Sequence, residues 1–215
     1  MSNERPMIVQ AIVADPQSTG LAHVYVGDEA FVVDAVHVAE LGLKSGMPLE
    51  GSRVERLRRL AQLTGLKERA LHLLAHRPYT EHELRCRLQQ GDVTPECVDE
   101  VLDWLRSLGY VDDAAFARRW VEVRRQTKGF GPVRLRHELV ERGVATEFIE
   151  AALAEVSEEE YVESAFEQAR QRLERLGEVP EAKARRQIYG FLVRRGFTGN
   201  TVARVMRRLF GQFPA

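Results

Sequence analysis

Several things are scarce in this chain of 215 residues: two cysteines, eight prolines and an aromatic fraction of 7%. Cys86 and Cys97 lie eleven residues apart and form neither a CxxC nor a metal-ligand set. That excludes a disulfide scaffold and a cysteine-built zinc site, and the two are expected as reduced, partly buried thiols. No apolar run approaches the roughly 18–20 residues that span a bilayer. The stretch from Met1 to Ala14 carries Glu4 and Arg5 and is interrupted by Gln10, unlike a secretory leader. A soluble, cytoplasmic protein with no membrane partner is expected. No charge sign dominates either: 31 Lys+Arg against 32 Asp+Glu leave a formal net charge of −1. A hydrophobic fraction of 44% excludes a disordered chain and is enough for a core in one or two domains.

Reactive constellations are also missing. His72 and His76 stand one helical turn apart, but Leu73-Leu74-Ala75 between them supplies no glutamate and no third ligand is in view. They are read as two imidazoles on one helix face rather than a zinc site. Lys128-Gly129-Phe130-Gly131-Pro132 contains a GxG but lacks the lysine and hydroxyl of a phosphate loop and follows no strand, so it is read as a helix end and a loop. Glu158-Glu159-Glu160 follows Ser157 at a helix start, where negative charge suits the helix dipole. No catalytic residue, metal or cofactor is assigned, and an enzyme is not expected.

What is present falls into two textures. Residues 1–60 are rich in valine with short alternating runs: Met7–Val13, Ala22–Val26 and Ala30–Ala35 read as strands, with a hairpin turn at Gly27-Asp28. Val36–Leu41 reads as a short helix stopped by Gly42, and Lys44–Pro48 as a turn. From about Leu49 the pattern is helical through Phe210.

The helical part carries an internal repeat. Leu84, Leu88, Val93, Val98, Val101, Leu102 and Leu105 reappear 51 residues later as Leu135, Leu139, Val144, Ile149, Ala152, Leu153 and Val156. They reappear 104 residues later as Ile188, Leu192, Phe197, Val202, Val205, Met206 and Leu209. The first two positions are i, i+4 on one helix. The last four are i, i+3, i+4, i+7, the apolar stripe of a second helix. Gly143 and Gly196 stop the first helix in two copies, and Gly91 stands beside the corresponding position in the other. Upstream of each pair lies a further helical stretch: Lys67–His76, Asp112–Gln126 and Ser157–Arg175. Thr80 with Glu83 forms a capping box, Thr94-Pro95 a helix start, and Gly109 with Asp112 a tight turn between helices. Modules this small bury little area alone and are expected to stack.

The fold expected is mostly α: three tandem three-helix repeats in an elongated array, preceded by a small N-terminal β-rich (α+β) domain. Its parts are residues 1–60, then repeats over 61–109, 110–156 and 157–215.

The near-zero charge conceals blocks. Ala145–Glu163 holds seven glutamates and no base; Pro180–Ala215 holds eight bases against Glu181; Arg118–Arg136 holds seven bases against Glu122. Arg204, Arg207 and Arg208 share the face of the last helix opposite Val202, Val205, Met206 and Leu209. Such bases must be met by the acidic segment of the same chain, by a partner protein or by phosphates. Few aromatics accompany the bases of the last block (Tyr189, Phe191, Phe197), and the core can claim all three, so a base-stacking platform is not supported. Of the bases, 27 are arginine, whose planar fork suits carboxylate and phosphate.

Taken together, the repeat, the turn Gly109-Tyr110-Val111-Asp112-Asp113 running into Ala114-Ala115-Phe116-Ala117, and Lys128-Gly129 before Leu135 resemble the RecX family. Arg77-Pro78-Tyr79-Thr80-Glu81-His82-Glu83-Leu84 resembles the start of that family's first repeat, and Val24–Val33 with Gly42–Gly46 the extra domain of its longer members. Phe130 and Gly131 give a slightly different linker. The resemblance implies a curved array of three-helix modules that binds the groove of the RecA filament on single-stranded DNA. It further implies suppression of strand exchange, ATP hydrolysis and filament growth, with no catalysis. The binding residues assigned are Lys128, Arg134 and Arg136 in the second repeat. In the third they are Arg185, Arg186, Arg194, Arg195, Arg204, Arg207 and Arg208. A monomer is expected. The rival expectation is a direct DNA-binding protein built from helix-turn-helix-like modules; a purely structural scaffold would bind neither DNA nor filament.

Overall fold

The computed structural model describes residues 7–16 and 18–211. The expectation drawn from Glu4 and Arg5 therefore lies outside the described residues. Strands β1 (Met7–Ala14), β2 (Leu21–Val26) and β3 (Glu29–Asp34) come first, then helix α1 (Ala35–Glu40) and the two-residue strand β4 (Pro48–Leu49). They form one antiparallel sheet in the order β3-β2-β1-β4. Alternation puts Val24, Val26, Phe31 and Val33 on the buried face. Gly27-Asp28 is the hairpin loop, joining Val26 to Glu29. Pro48 was expected in a turn or loop but pairs with Ile8 in the sheet, at an edge where a missing backbone N–H is tolerated.

Helix α2 (Gly51–His76) runs unbroken for 26 residues, longer than the Lys67–His76 stretch read from the sequence. It serves two cores. Val54 and Leu57 lie against the sheet with Val9, Phe31 and Leu49. Leu63, Leu66 and Ala70 lie in a second cluster with Leu84, Leu88, Val98, Val101, Leu102 and Leu105. That second cluster is built with α3 (Glu81–Leu88) and α4 (Pro95–Ser107), the rest of the first three-helix module. Cys97 is buried in it, while Cys86 is exposed on α3. Thr94 occupies the N-cap position of α4 and Pro95 follows, but no side-chain cap is made. The Thr94 hydroxyl donates to Gln62 Oε1 at 3.2 Å instead.

The second module comprises α5 (Asp113–Lys128), α6 (Pro132–Val140) and α7 (Thr146–Ala154); the third comprises α8 (Glu158–Leu176), α9 (Glu181–Arg194) and α10 (Gly199–Phe210). The cap read at Asp112 is made, accepting from the Ala115 amide at 2.8 Å; Ser157 and Glu160, read only as a helix start with acidic residues, form a reciprocal box. Thr80 and Glu83 do the same at the start of α3. All repeat positions are buried except Val93, Val156 and Leu209, which are half-buried and pack against the same clusters. By mutual contact the chain divides into two compact units. One holds the sheet and the first module; the other holds modules two and three together with Thr80–Glu83.

In the second unit one core runs through both modules, from Ala117 and Leu135 to Val205 and Met206. Its two halves meet by backbone. The Gly131 amide donates to the Arg195 carbonyl at 2.8 Å, and the Val133 amide to the Gly196 carbonyl at 3.0 Å. Gly196 has φ +82°, and a Cβ there would lie 2.5 Å from the Arg134 amide nitrogen. A Cβ on Gly131 would meet the Gly196 carbonyl oxygen. The GxG of the sequence is thus a helix end and loop, and its second glycine permits this contact.

Gly196→Ala is expected to destabilise the protein by about 3 kcal/mol or more, since it adds a backbone clash to left-handed strain. Gly109→Ala has similar strain at φ +72° but open space around the Cβ, and is expected to cost about 1 kcal/mol. Urea unfolding followed by circular dichroism measures both.

Candidate interaction surface

Helix geometry sets the surface of the second unit. On α10, Val202, Val205 and Met206 are buried, which turns Arg204, Arg207 and Arg208 outward. α8 lies alongside α10 and brings its glutamates with it. Arg204 Nη1 is 3.1 Å from Glu159 and Arg208 Nη1 is 2.6 Å from Glu163; Arg208 also lies 3.6 Å over the Phe166 ring. On the second module Arg136 forms a two-pronged pair with Glu150, both contacts at 2.7 Å, and Arg125 reaches Glu160 at 3.4 Å. The acidic block therefore meets much of the basic block within one unit. Such exposed pairs contribute about 0–1 kcal/mol each and can be exchanged for an external anion at little cost.

Four assigned residues converge where α5, α6 and α9 meet. Arg195 Nη1 donates to the Lys128 carbonyl. Arg134 Nη1 reaches the Arg194 carbonyl at 3.5 Å and its guanidinium sits 3.9 Å over Phe130. Arg195 lies over Phe130 and Phe191 at 5.9 and 5.1 Å. Phe130 is thus a post between two guanidinium groups, within cation–π range. Arg185 is turned away from this junction, bonding Glu181 at 2.7 Å and the Phe210 carbonyl at 2.8 Å. Lys128, Arg186, Arg194 and Arg207 are exposed, and their side chains make no ion pair among the described residues.

One expectation about neighbours needs correction, and one feature has no counterpart in the sequence pattern. Tyr189 is not claimed by the core: it is 54% exposed on α9, whereas Phe197 is buried and Phe191 half-buried. Ile188 holds the inward position, so the next residue is turned about 100° around the helix. The second feature is a charged cage around Trp120, absent from the sequence reading. Its indole donates to Glu138 at 3.1 Å, and Arg124 and Arg142 lie 4.2 and 4.0 Å over its ring. Arg142 also pairs with Glu83, and its carbonyl accepts from the buried Thr80 hydroxyl at 2.7 Å. Nearby, the Glu81 amide donates to Asp113 at 2.9 Å; desolvation nonetheless holds the Asp113 carboxyl above its usual range. An aromatic and an arginine 22 positions apart carry no periodic signal that could have joined them.

His72 and His76 are exposed, with rings edge-on at 4.8 Å. Among the described residues no group of three or more His, Cys, Asp or Glu is placed to hold a metal. No described helix is long and apolar enough to cross a membrane.

Three family models match the chain: the first three-helix domain of RecX over residues 67–105, the second over 112–153 and the third over 158–206. The regulatory protein RecX of Geobacillus kaustophilus is 32% identical over 178 residues, which cover 81% of this chain and 65% of that protein. That of Listeria monocytogenes is 29% identical, covering 78% of this chain and 62% of the relative. The matched part of the chain thus spans under two thirds of these two relatives. The regulatory protein RecX of Amycolatopsis mediterranei is 36% identical over 149 residues, covering 69% of this chain and 85% of that protein. Two crystal structures share the fold. One, of regulatory protein RecX, superposes with a TM-score of 0.77 at 23% identity over 94% of this chain and 99% of that one. The other, of RecX from Lactobacillus salivarius, gives 0.65 at 20% identity over 69% and 96%.

The Arg136 hydrogen bonds hold the Glu150 carboxyl below its ordinary range. A lowered folded-state value contributes stability above about pH 4.3, the unfolded range, and loses it as pH falls through the folded value. Carbon-detected NMR titration should find Glu150 ionising below about 4.3 in the native chain, and back in the ordinary glutamate range in Arg136→Met.

Proposed function

The chain belongs to the RecX family, and from that premise we propose that it is a non-catalytic, cytoplasmic regulator of the RecA recombinase. It binds the RecA filament on single-stranded DNA and restrains strand exchange, ATP hydrolysis and coprotease activity, so modulating recombination, repair and the SOS response. It acts as a monomer made of an N-terminal domain over 1–60 and modules over 61–109, 110–156 and 157–215. No cofactor takes part.

The observation that carries this reading is the combination of a repeated three-helix core with exposed arginines that make no ion pair among the described residues. Successive modules present similar elements to a partner that is itself periodic. Linked weak contacts then gain affinity through effective concentration, without any single strong site. Arg186, Arg194 and Arg207, with Lys128, supply unpaired positive charge for phosphate or for acidic filament surface. Arg136, Arg204 and Arg208 are held by glutamates and are released when a stronger anion arrives. Arg134, Arg185 and Arg195 bind backbone carbonyls of their own unit as well as lining the surface. Neutralising several phosphates would give a steep fall of affinity with salt.

RecA hydrolysis of ATP on single-stranded DNA tests the proposal. The chain is expected to inhibit it, and the combined variant Arg186→Glu, Arg194→Glu, Arg207→Glu to need at least tenfold more protein for the same inhibition at unchanged helicity. Reversing Arg204, Arg207 and Arg208 to Glu is expected to abolish inhibition. Tight binding to duplex DNA alone, seen by gel shift with no effect on RecA, would sink the filament reading in favour of a direct DNA binder.

A further inference from the structure

A groove of about 580 Å³ runs between α5 and α7 on the second module, and none of the arginines assigned above lines it. Ala115, Val121, Ala152 and Val156 supply its apolar surface. Its charged walls are Arg118, Arg119, Arg125, Glu122 and Glu155. Arg118 and Arg119 are exposed and make no ion pair among the described residues. Arg125 reaches Glu160 through Nη1, yet its Nε is buried with no acceptor. A buried donor left without a partner is costly, and a carboxylate oxygen is the acceptor that suits a guanidinium best.

The third module provides an internal comparison. Its first and third helices, α8 and α10, border the equivalent place, and there Glu163 and Arg208 join at 2.6 Å while Glu159 and Arg204 join at 3.1 Å. Counting from the caps Asp112 and Ser157, Arg118 takes the place of Glu163. Counting from the core residues Ile149 and Val202, Glu155 takes the place of Arg208. The second module thus has the same pair with its signs exchanged, and here it makes no bridge and the space stays open. In the third module the chain's own carboxylates meet arginine across this place.

We infer that the groove between α5 and α7 is a docking site for an acidic peptide segment of a protein partner. Carboxylates of that segment meet Arg118, Arg119 and the groove-lining guanidinium of Arg125, and an aliphatic side chain lies on Ala115, Val121, Ala152 and Val156. A nucleic acid backbone fits less well, since Glu122 and Glu155 line the same groove and repel a continuous polyanion, whereas a peptide can space its carboxylates around them. The inference stands apart from the filament reading, none of whose assigned residues lines this groove.

Fluorescence anisotropy with the full chain tests it. The probe is a fluorescein-labelled peptide of about twelve residues made of Glu, Asp and Leu, with a Gln, Asn and Leu analogue as control. The acidic peptide is expected to bind and the neutral one not. Arg118→Glu with Arg119→Glu should weaken binding at least tenfold. Ala115→Trp, which fills the groove from an exposed position without changing charge, should weaken it comparably. Arg186→Glu, Arg194→Glu, Arg207→Glu should leave it within twofold, so that loss of filament inhibition and loss of peptide binding are separately visible. Equal binding by the Arg118 and Arg119 variant, or no binding of the acidic peptide by the native chain, overturns the proposal. So does oligo-dT binding that depends on Arg118 and Arg119 while the peptide fails to compete, which would assign the groove to nucleic acid.

Discussion

The second unit depends on how closely two backbones approach each other at Gly131 and Gly196. Two amide-to-carbonyl bonds tie the start of α6 to the end of α9, and both glycines stand where a β-carbon would strike main chain. Because that contact leaves no room for side chains, the apolar faces of modules two and three close into one core rather than two. Phe130, Arg134 and Arg195 are gathered around the same contact. The shape of the exposed basic surface is therefore a consequence of a packing constraint, and the arginines decorate a junction whose geometry is set without them.

Much of this was legible in the sequence because it rests on local chemistry. The repeated apolar positions report helix faces directly, and all of them but Val93, Val156 and Leu209 are found buried. Asp112, Ser157 and Thr80 announce helix starts through bonds that span only three residues. The same locality explains what could not be read. Thr94 looks like a cap, but a glutamine 32 positions away takes its hydroxyl. β4 is two residues long and exists only because β1 is beside it. Of the candidate surface, the charge blocks and the outward face of α10 could be read. Which arginines are already matched could not, because Arg208 and Glu163 meet only once α8 and α10 pack together. The groove on α5 is hidden for the same reason: Arg118 looks no different in sequence from a paired neighbour.

The pattern of pairing gives the near-neutral total a physical meaning. A surface of entirely unpaired arginines would repel itself and attract any polyanion, with little discrimination. Here neighbouring glutamates hold Arg136, Arg204 and Arg208, while Arg186, Arg194 and Arg207 make no ion pair among the described residues. A partner that offers both anions and shape complementarity can displace the glutamates, whose pairs are individually weak. A diffuse anion gains less, because it must compete with tethered carboxylates already in place. For the role proposed above, that arrangement favours an organised filament over scattered nucleic acid.

Helix α2 has a consequence of another kind. It passes without a break from the core beneath the sheet to the core of the first module, and no loop between them can absorb a change of length. Each residue of an α-helix advances 1.5 Å and turns 100°. Adding or deleting one residue near Leu60 would swing the sheet a quarter turn or more around the helix axis, and three or four would nearly restore the original facing one turn further along. The length of this segment works as a rotary index between the two cores, so changes of chain length here are tolerated in steps of whole helical turns rather than one residue at a time.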